Sequence, residues 1–590
     1  MKFLRILVFF MLLVTAAEAV MAGQGHTSLL ATTEPFKGGV SADLFLETKP
    51  GSGKIFIESY PLTKIDTQIS TRFAKEVACS YAGEDCNGID FFYAIKADAV
   101  IIGGPSAGAS IAALTVAVLE GAELNKSVAI TGTINSGNVI GHVGGISEKI
   151  EAARNAGIKK VLIPAGERSY EIDNRTTDLI RYGEELGVEV IEVFSLDEAM
   201  KEFTGKTFKP DNSDIEVNQK YRDVMSGLAS RLCARTEELS GKENSEVNES
   251  FDELKSIAKN LSRQGAVARE EESYYAAASF CFGANVRYKF LELFSKELSN
   301  EMTLSGLENV NRQVGEFENS LEKASTVSDA QILAVVLDRL GEARLHTNLS
   351  AAYLNEKRLE NGIYELAFAI ERLESARAWS DFLGVMKDAA IQEEALKNAC
   401  TSKLAEAQER IEYATILVRS SSDSARKVLG EAQRFSEEED YVQCLHKATL
   451  SKSQANTILS VFGTRDEEIQ DIVDRKIDAA RTSISRQKGI FPIVGYSYYE
   501  YANSLKETDK YSALLFSDYA LEFSDIGIYF RPDNETAAEG YEIETAPPSP
   551  PYFIDGFLAG IALSAVLLRL AKKKKKILIN RAKKPLKRRN

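Results

Sequence analysis

IIGGPSAGASIAALTVAVLEG, residues 101–121, reads as the end of a strand, a tight turn and a helix. The run ADAVII (97–102) is apolar and β-prone, and GGPSAG (103–108) is small and turn-forming. ASIAALTVAVLEG (109–121) consists of helix formers closed by a glycine. Ser106 therefore stands at the mouth of a helix, its hydroxyl exposed on the turn. The unpaired N–H groups of a first helical turn can hold a developing oxyanion. Gly104, Pro105 and Ala107 are the turn and oxyanion candidates around it. This is how an acyl-transfer enzyme places its nucleophile.

A serine is a weak nucleophile until a base takes its proton. Of the four histidines, His26 lies near the N-terminus and His346 and His446 lie in a distant helical region, leaving His142 as the nearby one. GPSAG does satisfy the G-x-S-x-G elbow of α/β-hydrolases. That arrangement needs an acid and then a histidine after the serine. The only acids between Ser106 and His142 are Glu120 and Glu123, at the far end of the helix. A histidine-based esterase is therefore the weaker alternative.

A lysine is the better base. GGISEKIEAARNAGIKKVLIP (144–164) reads as a glycine turn, a helix with Ser147 as N-cap, and a short strand, with Lys149 in the first helical turn. A free lysine, with a pKa of ~10.4, is protonated at neutral pH. Burial against Ile146, Ile150 and the alanines, beside the positive end of a helix, would lower that value.

The pattern GPSAG, AITG and VGGISEKIEAARNAGIKKVLIP resembles the proteolytic domain of Lon proteases, whose Ser/Lys dyad has its serine in GPSAG and its lysine in GG-x-x-E-K. The spacing of 43 between Ser106 and Lys149 fits that family. The resemblance spans residues 36–205 and implies an α+β domain with Ser106 as nucleophile, Lys149 as general base and Thr131 holding the lysine amine. It also implies a ring-shaped homo-oligomer. One departure concerns the turn: many Lon members carry an aspartate three residues before the serine, and Gly103 stands there. The competing reading is a non-catalytic surface scaffold, in which Ser106 is only a helix cap, Lys149 is a solvated charge and the helical region binds a partner protein.

Lon proteases couple this domain to an ATPase, which requires G-x-x-x-x-G-K-[ST] to cradle phosphates. The one GKT, residues 205–207, has Met200 in place of the first glycine and follows a helix rather than a strand. It is not a nucleotide loop, so neither a nucleotide nor any other cofactor is expected. Nor is a metal: the six cysteines lack metal-ligand spacing and histidines are few. Cys79, Cys86, Cys233, Cys281, Cys400 and Cys444 fall instead into three sequential pairs, open to disulfide formation in an exported protein.

At 590 residues the chain calls for at least two domains. Lys2 and Arg5, an apolar run at 6–14 and the small residues Ala17, Ala19 and Ala22 read as a signal peptide, 1–22. The proteolytic domain is expected at 30–207. From 212 to 530 the pattern is almost wholly helical, as in 329–353 and 393–418, and reads as a helical bundle or irregular helical repeat serving as a stalk. The aromatic pairs Tyr274/Tyr275 and Tyr498/Tyr499 belong to its core. A proline-rich stem follows at 531–551, then an apolar segment at 552–571, long enough at ~1.5 Å per residue to span a ~30 Å hydrocarbon core. The basic tail, 572–590, is cytoplasmic by the positive-inside rule, which places the body outside a cell membrane. From Arg569 onward there are twelve basic residues and no acid; with the leader and Asp555 also set aside, the overall −15 becomes −27 for the body. So acidic a body repels nucleic acid. The expected partners are unfolded proteins or peptides, the membrane and further copies of the chain. Six sequons (Asn125, Asn174, Asn248, Asn260, Asn348, Asn534) permit glycosylation.

Overall fold

Strands β1 (Gln24–Thr32), β2 (Gly39–Pro50), β3 (Ile55–Thr63) and β4 (Ile89–Ile102) form the first sheet. In this computed structural model their order is β1-β2-β4-β3, antiparallel except for the parallel β3–β4 pair. The structure describes residues 23–32, 38–172, 175–208, 214–242, 251–386, 388–418, 422–462, 464–487 and 489–530. The expected leader, stem, apolar span and basic tail lie outside them. Among the described residues no helix is long and apolar enough to cross a membrane.

β4 lies between β2 and β3, so the strands on either side of residues 49–53 are not sheet neighbours. The sheet takes in the chain from Gln24, ahead of residue 30. Helix α1 (Ile65–Ala82) turns Phe73 and Val77 into the core, with Leu44, Phe91 and Tyr93. Helix α2 (Gly108–Leu119) is buried at every position. That burial follows from its composition, since a helix apolar all round has no face to give to water.

A second, parallel sheet has the order β11-β8-β5, from β5 (Val128–Ile130), β8 (Lys160–Pro164) and β11 (Glu189–Val193). β5 ends at Ile130, one residue before Thr131. β6 (Thr133–Ile134) then pairs with β7 (Ile140–Gly141), so Thr131 and Gly132 lie between two different sheets. Helices α3 (Ile146–Asn155), α4 (Leu179–Leu186) and α5 (Leu196–Thr204) complete the domain. α4 follows β10 (Arg175–Asp178), which pairs with β9 (Ser169–Ile172), and Asp178 caps it by accepting the N–H groups of Ile180 and Arg181. Gly205 closes α5 as its left-handed C-cap, which accounts for the GKT glycine.

The helical region runs α6 (Gln219–Ser240), α7 (Asp252–Glu270), α8 (Tyr274–Phe294), α9 (Asn300–Asn319), α10 (Val327–Asn355) and α11 (Leu359–Trp379). It continues with α12 (Glu393–Leu417), α13 (Asp423–Glu437), α14 (Tyr441–Val461), α15 (Ile469–Arg486), α16 (Ile493–Leu505) and α17 (Lys510–Ser524). Sequence neighbours pack as pairs, among them α7 with α8, α10 with α11 and α16 with α17. Tyr275 meets Trp379, Tyr498 and Tyr501 edge-on in an aromatic core. The cysteines pair sequentially, as Cys79–Cys86, Cys233–Cys281 and Cys400–Cys444. The last two tie α6 to α8 and α12 to α14.

This region is not a stalk. Val139, Ala165 and Phe194 of the α+β domain belong to the same hydrophobic core as the helices. Gly137 N–H donates to Asp525 at 2.6 Å, and Arg475 pairs with Glu198. Lys452 places its ammonium 3.8 Å from the centre of the Phe73 ring of α1. The residues described up to 530 fall within one compact unit.

Candidate active site

Ser106 lies in a single 3-10 turn, Pro105–Ala107, that runs into α2, so it precedes the α-helix rather than opening it. The turn begins at Gly104 with φ 106°, a conformation that L side chains rarely adopt. Ser106 is half-buried. Its carbonyl accepts from Gly132 N–H at 3.0 Å, and the carbonyl of Gly132 accepts from Ala109 N–H at 3.0 Å. These two bonds fasten the nucleophile turn to the segment that carries Thr131.

The place of the missing aspartate is taken from another element. A Cβ at Gly103 would come within 2.5 Å of Lys64 Cδ, so a side chain there would have to displace that lysine. Asp66, in the first turn of α1, accepts the Gly104 N–H on Oδ2 at 3.0 Å, and Thr67 Oγ1 donates to the Gly104 carbonyl at 3.5 Å. The carboxylate that steadies the turn thus arrives from residue 66, a role hidden in the sequence because its only signal is an acid near a helix start. The bond also corrects the oxyanion candidates. Gly104 N–H is committed to Asp66 and Pro105 has none, which leaves the N–H groups of Ser106 and Ala107 as donors.

Lys149 lies on the apolar stripe of α3 with Ile146, Ile150 and Ala153, all buried. It is 2% exposed. α3 begins at Ile146, capped by left-handed Gly145 (φ 68°) and not by Ser147, whose hydroxyl donates to Glu148. Ile146 and Ile150 pack with Leu30 of β1 and Ala129 of β5, next to the Thr131 segment. Burial draws the Lys149 amine down to about 8, against the opposing pull of Glu167 and Glu148. The solvated lysine of the scaffold reading is therefore not what the fold contains.

Glu167, also unforeseen, is 7% exposed and accepts Val143 N–H on Oε1 at 2.9 Å. Burial pushes its carboxyl up to about 8, with the Val143 bond and Lys149 acting in the opposite direction. It anchors the loop into α3 and sets the field at the lysine. Nothing local marks this acid, which meets the lysine only through the parallel sheet.

Thr131 is completely buried, its N–H on the Leu162 carbonyl at 3.0 Å. Its hydroxyl has no hydrogen-bond partner among the described residues, nor does a hydrogen bond join Ser106 to Lys149. Catalytic hydrogen bonds are commonly long in free enzymes and tighten with substrate. An orphaned buried hydroxyl at this place is suited to an incoming amine. His142 faces the other way, its Nε2 3.3 Å from Thr464 Oγ1, and burial with the nearby Lys476 pulls it down to about 3. It is no base for Ser106. Among the described residues no cluster of His, Cys, Asp and Glu could hold a metal ion.

Residues 69–202 match the Lon protease (S16) C-terminal proteolytic domain. A Lon protease of Lachnoclostridium phytofermentans is 29% identical over 170 residues, 28% of this chain and 20% of that protein. An archaeal Lon protease of Archaeoglobus fulgidus is 34% identical over 121 residues, 20% of this chain and 18% of its own length. Another, of Methanothermobacter thermautotrophicus, is 30% identical over 149 residues, covering 25% and 22%. The chain spans about a fifth of the length of these relatives, and its α+β part is Lon-like.

Proposed function

We propose that this protein is a serine endopeptidase that works through Ser106 and Lys149 without ATP. The observation that carries the reading is the lysine itself: an amine on the apolar stripe of a helix, 2% exposed and drawn down to about 8, its helix neighbours Ile146 and Ile150 in one hydrophobic cluster with Ala129, two residues before Thr131. Neutral Lys149 takes the Ser106 proton as Oγ attacks the peptide carbonyl. Thr131 Oγ1 orients the amine, and the N–H groups of Ser106 and Ala107 meet the oxyanion. The ammonium then protonates the leaving amine, and a water activated by the same lysine hydrolyses the ester.

The substrates are peptides or unfolded exported proteins, since no unfoldase loop accompanies the domain. The enzyme is held at a membrane by residues 552–571 with its body outside, and forms a homo-oligomer. The test is hydrolysis of unfolded casein by the full-length protein in detergent, without ATP. Ser106→Ala and Lys149→Ala are each expected to lower the rate by at least about 1,000-fold. Casein cleavage that survives in either folded variant removes the dyad.

A further inference from the structure

Helix α12 of the helical region bonds to two of the three segments that make up the site. Tyr413 Oη accepts the Gly144 N–H at 2.8 Å, directly before the Gly145 cap of the lysine helix. Arg410, 3% exposed, donates from Nη1 to Thr133 Oγ1 at 2.8 Å. Thr133 is the second residue after Thr131 and adjoins Gly132, whose N–H holds the Ser106 carbonyl. Glu409 is buried beside Arg410, with Oε2 3.7 Å from its Nε. Residues 409, 410 and 413 share one side of α12 by helical spacing.

The domains have other contacts that do not approach the site, such as Arg475 with Glu198. Docking alone therefore does not require α12 to address the lysine cap and the threonine strand together. Gly144 needs an acceptor that its own domain does not supply, and Thr133 needs a donor.

Resting on the Ser/Lys reading above, we propose that α12 is a positioning element of the catalytic site. Tyr413 sets the lysine helix and Arg410 sets the Thr131–Thr133 segment, both in register with the Ser106 turn. The helical region is then part of the working enzyme, and each residue acts through the group it holds rather than on the substrate.

The test measures kcat and KM on a peptide substrate, with the rate at which a fluorophosphonate acylates Ser106, in full-length Tyr413→Phe, Arg410→Met and Arg410→Lys. Arg475→Ala serves as the docking control. Tyr413→Phe removes one hydroxyl and keeps the ring, so it remains informative if Arg410→Met does not fold. Misplacing reacting groups by about 1 Å costs up to about 100-fold. The expected result is a kcat and acylation rate lowered roughly 10- to 100-fold in Tyr413→Phe and Arg410→Met with KM within about twofold. Arg410→Lys should recover much of the loss, and Arg475→Ala should keep the wild-type kcat. The proposal is overturned if Tyr413→Phe retains full kcat, or loses no more than Arg475→Ala, while Ser106→Ala and Lys149→Ala are inactive. Should those dyad variants keep activity, the Ser/Lys reading falls first and this one with it.

Discussion

Lys149 and Lys403 are both buried lysines, one in each half of the molecule, 2% and 0% exposed. Desolvation opposes the charge on both. Lys403 has Glu522 at 3.0 Å, Glu406 at 3.3 Å and Tyr529 nearby, and these hold its amine well above the ordinary lysine value. Lys149 faces Glu167, itself pushed toward the neutral acid, and Glu148, and its amine falls to about 8. Burial alone therefore does not make a base; burial with weak compensation does. The helical region uses its buried charges as a clamp on α1, and the α+β domain leaves one undercompensated where a proton must be moved.

Stability should follow the same division with pH. The Lys149 amine loses its proton at a lower pH in the folded protein than in the unfolded chain, which titrates near 10.5. From about 8 to 10.5 the unfolded chain binds more protons, and this residue contributes stability that rises with pH. Lys403 has the opposite sign: its contribution is fully present below the unfolded value and is lost as pH rises toward its higher folded value.

The largest expected effect separates the two lysines by function. Lys149→Ala should remove casein hydrolysis by at least about 1,000-fold while its denaturant midpoint stays close to wild type. A midpoint collapse comparable to that of a clamp variant would erase the contrast. Next, Glu522→Ala removes one of the two carboxylates that Lys403 and Lys452 share, 3.0 and 3.1 Å away, and leaves Glu406 alone between two buried ammonium groups. It should cost about 3–5 kcal/mol in urea unfolding. A loss within the error of the measurement would show the clamp to be dispensable.

Asp66→Asn replaces the carboxylate that holds Gly104 with a neutral amide. Charged hydrogen bonds contribute about 1.5–3 kcal/mol, so kcat should fall roughly tenfold or more. An unchanged kcat would mean that Gly104 keeps its geometry without a carboxylate. The smallest effect concerns pH. Activity should rise as Lys149 loses its proton, with its half-point near the value of about 8. Glu167→Gln removes a carboxyl whose ionised form raises the lysine value, so the acid limb should move to lower pH. Movement to higher pH would reverse the role assigned to Glu167.

Much of the site was legible because its parts are local. Strand, small-residue turn and apolar helix around Ser106 lie within residues 97–121, and the glycine turn, lysine and apolar spacing of α3 lie within 144–155. The helices of residues 212–530 announce themselves by periodicity, and the order of the six cysteines along the chain matches the pairs that form. Ser147 was misjudged as a cap because a glycine already in left-handed geometry ended the turn before it. Three apolar residues before Thr131 suit a strand that would carry it, whereas sheet pairing ends at Ile130.

By itself, the sequence determined the chemistry available: a serine on a turn, a lysine among apolar neighbours, and an α+β domain followed by helices. Short-range propensity and periodicity are sufficient for these. Only the tertiary structure decided that Asp66 replaces the carboxylate absent at 103, that Glu167 meets Lys149, and that α12 lies across the site instead of forming a stalk. Each depends on residues far apart in the chain whose buried polar groups must be satisfied, and that requirement arises only once the elements have packed.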